Sequence, residues 1–522
     1  MKNLLLLLSL CLTTTPALTQ ASIEWEKSFG GSKNDYSFRI IHTPDDGYLV
    51  AGLTESNNGD VSGNHGVSDF WLLKINSNGV KQWQKCYGGL GIDVITSLDN
   101  TSDGGCILVG NTQSNGAKNN SQVFGNRGEQ DIWVVKVDEN GTVQWRQCYG
   151  GCNREDSRSI RQTSDGNYVI VGGTLSINTG EVFGSHGDWD AWVLKIASDG
   201  AMIWQKTIGG TGFDYLYDVQ ETQNGDFVIG GGSSSTDGDL IGVNNNGGED
   251  YWIAMLSSDG DLLWNKTYGG SDKDGARGIC VATDGSLMVS GQTGSFDGDV
   301  TGAYGGFDAW VLRLDTDGEL LWQKVFGGSD YDAGFSVIQR TDNDFILAAE
   351  TSSQNGDVSG NHGGTDAWVV KYDKNGLLKS AICLGGSATD FTRSIASATG
   401  NSVVVAASTS SSDGDVSVNK GLNDVWIVKL SVPLGLKPEA PNSETIALKI
   451  SPNPAKNRIQ ILTNATGLKQ LDLFDERGKL LQTLEMDQVE ISLPINNLPA
   501  GVYLLRMITQ TGQVLQSQFV KA

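Results

Sequence analysis

Seven times the chain writes X-Gly-x-x-Asp-x-Trp, where X is His65, Arg127, His186, Asn246, Tyr304, His362 and Lys420. A fixed turn that presents a large polar side chain of varying type from unit to unit has the form of a recognition surface, so these seven are candidate ligand-binding residues. The Asp of the frame does not vary: Asp69, Asp131, Asp190, Asp250, Asp308, Asp366 and Asp424. A second series, Asp35, Asp93, Asp156, Asp214, Asp274, Asp332 and Asp390, follows each Gly-Gly pair by five or six residues. Carboxylates that every unit carries read as structural groups that bond loop amides and close turns. Trp189 stands outside the repeated tryptophan slots, between Asp188 and Asp190, and is a candidate stacking platform for a sugar ring.

Five loops carry Asn/Asp-Gly-Asp, at Asn58/Asp60, Asp237/Asp239, Asp297/Asp299, Asn355/Asp357 and Asp413/Asp415. Alternate oxygen side chains across a glycine resemble part of a calcium loop, because a hard cation takes several oxygens at roughly 2.3–2.6 Å. Asp60, Asp237, Asp239, Asp297, Asp299, Asp357, Asp413 and Asp415 are therefore candidate calcium ligands, although no bidentate Glu follows at fixed spacing. The pattern demands no other cofactor. Of the four histidines, His65, His186 and His362 fall on separate units, which is no zinc spacing. Nucleophile elbow, phosphate loop and dinucleotide fingerprint are all absent, and repetition makes no carboxylate special, so no catalytic residue stands out.

These residues sit in loops between strands. The unit is seen most fully from Asp308 to Gly328, as an apolar strand, a tight turn at Thr316-Asp317-Gly318, a second apolar strand and a Gly-Gly exit. The Gly-Gly pairs start at 30, 88, 150, 209, 269, 327 and 385, so the period is 58 to 62 residues. Such a period with four strand signals per unit predicts the four-stranded blades of a propeller. Paired tryptophans mark strands three and four, as Trp71/Trp83, Trp133/Trp145, Trp192/Trp204, Trp252/Trp264 and Trp310/Trp322, with Trp368/Ser380 as the exception. The array starts on a fourth-type strand around Trp25 and ends on a third-type strand at Trp426. Pairing these two removes an exposed edge and closes the ring. The expectation is an all-β chain: a seven-bladed β-propeller whose N-terminal strand closes the last blade, followed by a small β-sandwich.

The boundaries follow from composition. Residues 1–21 read as a signal peptide, with a basic Met1-Lys2-Asn3 and an apolar Leu4 to Leu12, cleaved after Thr19 or Ala21. Residues 22–431 are the propeller, 432–444 a Pro-rich linker and 445–522 the sandwich. No later run is long enough for a transmembrane span in the mature chain. A formal net charge of −24 argues against nucleic acid and anionic lipid as partners and favours cations or neutral polymers such as glycans. Cys86, Cys148 and Cys383 recur in one slot before Gly-Gly, which reads as small buried β residues, with a Cys148–Cys152 bridge the remaining alternative.

Ser451-Pro452-Asn453-Pro454, the turn from Asp475 to Gly478, Leu498-Pro499-Ala500-Gly501-Val502-Tyr503 and the basic Lys521 stand in this order over residues 445–522. This stretch resembles the C-terminal sorting domain of the type IX secretion system of the Bacteroidetes. The resemblance implies export across the outer membrane by the type IX machinery, removal of the domain by its sortase, and attachment to surface lipopolysaccharide or release. The repeats look like the glycine-rich propeller repeats found in front of that domain, which carry no known chemistry. Their turns are also similar to the Trp-docking repeats of quinoproteins and the Asp-box of sialidases. The expected function is a secreted or cell-surface propeller that binds a glycan or surface protein without catalysis. An extracellular quinoprotein-like or glycan-cleaving enzyme, or a structural surface-layer component, is the alternative.

Overall fold

The computed structural model describes residues 21–116, 122–243, 245–432, 448–451, 455–463, 468–475, 479–485, 490–509 and 514–521. The signal-peptide and linker expectations therefore lie almost wholly outside the described residues. Residues 22–431 fold into seven four-stranded antiparallel sheets. Blade one runs Asp35–His42, Tyr48–Thr54, Asp69–Ile75 and Lys81–Tyr87, and blades two to six repeat this order. Strand one of each blade lies innermost, beside the first strands of its neighbours. Strands two and three are buried along their length because blades cover both faces, so they read as apolar runs rather than alternating patterns.

Blade seven takes Asp390–Ser397, Ser402–Thr409 and Asp424–Ser431 from the end of the array and Ser22–Phe29 from its start. The closing register pairs Ser22 with Ser431, Trp25 with Lys429 and Phe29 with Val425. Side chains reinforce it: Trp426 Nε1 donates to Glu26 Oε2 at 2.9 Å, and Lys429 lies 3.4 Å from Glu24.

All seven strand-three tryptophans are at most 1 % exposed, packed between blades. The strand-four tryptophans do a second job. Each ring lies over the glycine of the next blade's strand-three to strand-four turn: Trp25 on Gly79, Trp83 on Gly141, Trp145 on Gly200, Trp204 on Gly260, Trp264 on Gly318 and Trp322 on Gly376. The indole nitrogen donates into the same turn, as from Trp145 to Ser198 O at 2.9 Å and from Trp322 to Lys374 O at 3.0 Å. This explains the exception at Ser380. Blade seven has no such turn, because its third and fourth strands come from opposite ends of the array, and a tryptophan on blade six would find no turn to cover.

The turn glycine is needed twice, for its left-handed backbone and for the ring above it. Gly200 has φ +88, and a methyl there would stand 3.1 Å from the Trp145 ring, whereas Gly166 has φ +82 and open space. Gly166→Ala should cost roughly 1 kcal/mol for the backbone alone, and Gly200→Ala about 1–2 kcal/mol more. Urea denaturation of the two variants measures the difference; equal losses would show that the indole contact is immaterial.

The C-terminal unit is a sandwich of two antiparallel sheets, one of Leu448–Ser451, Arg458–Thr463 and Glu490–Pro494, the other of Leu480–Glu485, Leu468–Phe474, Gly501–Thr509 and Val514–Lys521. Ile459, Ile461, Leu471, Leu473, Leu505 and Phe519 form its core. Of the expected motif residues, Pro452, Asn453, Pro454 and Gly478 lie outside the described residues. Leu498 packs on the core, Pro499 and Ala500 are exposed, and Tyr503 is buried with its hydroxyl donating to Pro499 O at 2.9 Å. Gly501 pairs with Lys521 in the strand register.

Candidate functional site

Each blade opens at a Gly-Gly pair, and the loops of one face are built on it. The second glycine donates its N–H to the carboxylate that starts strand one: Gly31 to Asp35 at 2.7 Å, Gly89 to Asp93 at 2.7 Å, Gly210 to Asp214 at 2.8 Å. That carboxylate also accepts hydroxyls from the end of strand two, as Asp35 does from Ser56 at 2.8 Å and from Thr54. In blade three the slot belongs to Glu155, which accepts from Gly151 at 2.9 Å and Thr174 at 2.8 Å. The sequence series placed Asp156 there and is one residue out; Asp156 instead meets Arg154 at 3.1 Å and Gln130.

The strand-three Asp accepts the backbone N–H of X in all seven blades, from His65 at 3.0 Å to Asp69 through Lys420 at 2.5 Å to Asp424. Its other oxygen points back at the first glycine. A methyl on Gly88 would stand 2.5 Å from Asp69 Oδ1 and 2.8 Å from Asp93 Oδ2, so two buried carboxylates flank one Cα hydrogen. Oδ1 of Asp69, Asp190, Asp250, Asp308, Asp366 and Asp424 is buried with no hydrogen-bond partner. Burial, with the neighbouring strand-one carboxylate adding, pushes Asp131, Asp250, Asp308 and Asp424 up to about 6.

Five of the seven X side chains reach the next blade. Lys420 bridges to Asp60 of blade one and to Ser28 O at 3.2 Å, Arg127 to Glu181 of blade three, and Tyr304 to Asp357 of blade six. His362 Nε2 lies 3.9 Å from Asp415, and His65 Nε2 3.2 Å from Gln122. His186 stays by its own Asp190 at 3.5 Å, and Asn246 donates to Gly269 O at 3.3 Å. These side chains tie loop to loop around the ring.

The Asn/Asp-Gly-Asp loops close over the glycine pair. The first side chain accepts from the residue after it, as Asp237 does from Thr211 N, Asp297 from Ser271 N and Asp413 from Ser387 N, each at 2.7 Å. The second accepts from the first glycine, as Asp239, Asp299 and Asp415 do at 3.1, 3.2 and 3.3 Å. Asp60 pairs with Lys81 at 2.8 Å as well as Lys420, and Asp357 Oδ2 is buried without a partner. Among the described residues no three His, Cys, Asp or Glu side chains converge as metal ligands. The six cysteines of residues 21–522 are free.

A second position that varies from blade to blade lies at the axis. Strand one of every blade carries a β-bulge after its third residue, at Ser37/Arg39, Ile95/Ser97, Ser157/Ser159, Leu216/Asp218, Ala276/Gly278, Gly334/Ser336 and Thr392/Ser394. The seven skipped residues are Phe38, Thr96, Arg158, Tyr217, Arg277, Phe335 and Arg393, and all line one central cavity of about 330 Å³. A bulge re-aims its side chain out of the ladder. From blade three round to blade one the order is Arg, Tyr, Arg, Phe, Arg, Phe, with Thr96 completing the circle. The guanidinium carbons stand over the ring faces: Arg277 is 4.4 Å from Tyr217 and 5.9 Å from Phe335, Arg393 4.1 Å from Phe335, and Arg158 5.5 Å from Tyr217.

The cavity wall adds Arg39, Asp218 and Glu350, so four cations face two carboxylates, +4 − 2 = +2, in a chain of net −24. Asp218 is engaged by Ser159 at 2.7 Å, Arg161 at 3.0 Å and Ile279 N at 3.0 Å. Glu350 takes Arg393 at 3.2 Å and the Tyr331 hydroxyl at 3.3 Å. Trp189 connects to this group: it stands edge-on to Tyr215 at 5.5 Å, and Tyr215 meets Tyr217 at 5.1 Å. Arg154 covers it, 5.7 Å from the ring. Sequence reading missed the axial ring because only counting from Glu155, not Asp156, aligns Arg158 with the other six.

Residues 449–521 match the family model of the secretion system C-terminal sorting domain. The chain is thus a β-propeller joined to a type IX sorting domain, a protein secreted to the cell surface or exterior. No helix of the described residues is long and apolar enough to cross a membrane. Over 352 residues the chain is 22 % identical to the regulatory protein FlaEY of Caulobacter vibrioides, covering 59 % of this chain and 36 % of that protein, so it spans about a third of that relative's length. Among solved structures it is similar to the β-propeller domain of the Trilobed protease from Pyrococcus furiosus (TM-score 0.36, 10 % identity, 72 % of this chain and 92 % of that one). It is also similar to the PQQ-bound aldose sugar dehydrogenase from Streptomyces coelicolor (0.36, 11 %, 80 % and 99 %) and to YCF48 bound to D1 peptide (0.40, 10 %, 80 % and 99 %). Likenesses this distant carry no inference about chemistry, and the fold rests on the strand pairings.

Proposed function

We propose that this exported propeller is a non-catalytic binding module that takes a glycan or a neighbouring surface protein at the mouth of its central cavity. The observation behind this reading is the ring of bulged side chains. The X side chains vary too, but five of them are taken up by the next blade, whereas the seven residues aimed at the axis line a cavity and are chiefly Arg, Tyr and Phe. Arg and Tyr are types that dominate binding energy at recognition sites. Both cavity carboxylates are held by protein donors, an arrangement suited to fixing the wall rather than to moving protons. Incubating the full chain with a panel of polysaccharides, with and without calcium, tests the reading when retention and released product are scored in the same samples. Retention with the polymer unchanged is expected; release of shortened product would contradict it, as would retention of no polymer together with no retention of outer-surface proteins offered in a parallel set of samples.

A further inference from the structure

The three ring arginines are held by aromatic faces more than by acids. Arg277 lies between Tyr217 and Phe335, and its Nε is buried with no acceptor. Arg158 donates to the Tyr215 hydroxyl at 2.8 Å, and only Arg393 has a carboxylate partner, Glu350. Stacking fixes the plane of a guanidinium but supplies no oxygen to its five donors, so the fork stays open to a ligand. Arg39 lines the same cavity, and its Nε too is buried without a partner. Planar forks fixed in place suit a carboxylate, which accepts two parallel N–H bonds. The Ser97 hydroxyl, buried with no partner, shares the same wall and suits a hydroxyl-bearing ligand. A cavity of about 330 Å³ is at the small end of ligand sites, room for a chain end rather than a folded partner.

We infer that the axial ring is a carboxylate-binding site that reads the terminal residue of an acidic sugar chain. This rests on the binding-module reading and narrows its ligand class. The overall charge of −24 repels a polyanion at a distance, but at physiological salt that repulsion fades within about 8 Å, and the cavity's own charge decides what enters.

The test is calorimetric titration of the full chain with a short oligogalacturonate at about 0.15 M salt, beside its fully methyl-esterified form, citrate and inorganic sulfate. The acid form should bind at least tenfold more tightly than the ester, and citrate and sulfate should bind more weakly than the sugar. Arg277→Gln should lower affinity at least tenfold with the unfolding temperature held; Arg158→Gln provides the same reading should Arg277→Gln fail to fold. Equal binding of acid and ester, or unchanged affinity in a folded Arg variant, would overturn the carboxylate site while leaving a glycan-binding module standing. Citrate or sulfate binding as tightly as the sugar would overturn the sugar assignment. Binding of the neutral polymers alone would likewise overturn the inference without touching the broader reading.

Discussion

Deleting Ile23 to Phe29 should lower the unfolding temperature by roughly 10 °C. The closing strand supplies about six backbone hydrogen bonds at ~1 kcal/mol each and half-buries Trp25, for a loss of about 8 kcal/mol. Spread over the unfolding entropy of some 400 residues, that becomes the stated shift. The deletion also uncovers the strand Asp424–Ser431 as an open edge, so concentration-dependent association should accompany the lower melting point. Scanning calorimetry with light scattering follows both. An unchanged melting temperature would mean that blade seven stands on three strands and that ring closure is incidental.

The second large effect is on acidity. Seven blades each bury a strand-three Asp beside a second carboxylate, and five of the seven, Asp69, Asp131, Asp250, Asp308 and Asp424, are pushed up by burial to about 6 from the ordinary 3.8. A group raised on folding favours the protonated fold: its contribution is complete below pH ~4 and is lost as pH rises through about 6. Protonation removes the charge from the buried Oδ1 of Asp69, Asp250, Asp308 and Asp424, which no donor reaches. On the opposite face the balance is reversed. At Asp45 and Asp103 burial is outweighed by hydrogen bonds from Lys74 with Thr43 and from Lys136 with Thr101, which hold both near 2; that contribution is present above pH ~4 and lost as pH falls through 2. Stability should therefore peak near pH 4 and decline toward pH 7. Asp250→Asn, which puts an amide donor where the proton would sit, should gain about 1–2 kcal/mol at pH 7, allowing for solvent screening, and little at pH 4. Chemical denaturation across that range decides; a loss at pH 7 would show that the charged carboxylate is the form the fold prefers.

Ring closure was legible because the unmatched strands at Trp25 and Trp426 are complementary in type, and the pattern needs no knowledge of side-chain packing. The sorting domain was legible from motif order. Other features depend on contacts between units some 55 residues apart, which a repeat alignment reads as seven copies of one residue rather than as pairs. Trp145 over Gly200 and Arg127 against Glu181 are of this kind. The X positions therefore presented as seven variable surface residues, while five of them meet a side chain in the next loop, Asp in three cases and Glu or Gln in the others. The axial ring was hidden for a different reason. A bulge adds one residue without any compositional mark, and the Glu155 substitution moved blade three out of frame where Arg158 would have drawn notice.

Recognition at the axis rather than on the loop ring is tested most directly by measuring retention of Tyr217→Ala and Lys420→Ala, side by side, on whichever polymer the full chain retains. Tyr217 stacks on two of the three ring arginines, whereas Lys420 ties blade seven to blade one. The expected result is a loss of about tenfold or more in affinity for Tyr217→Ala, with Lys420→Ala within about twofold of the unaltered chain. The reverse order, with Lys420→Ala abolishing retention from a folded protein and Tyr217→Ala leaving it intact, would place recognition on the loops and contradict the axial site.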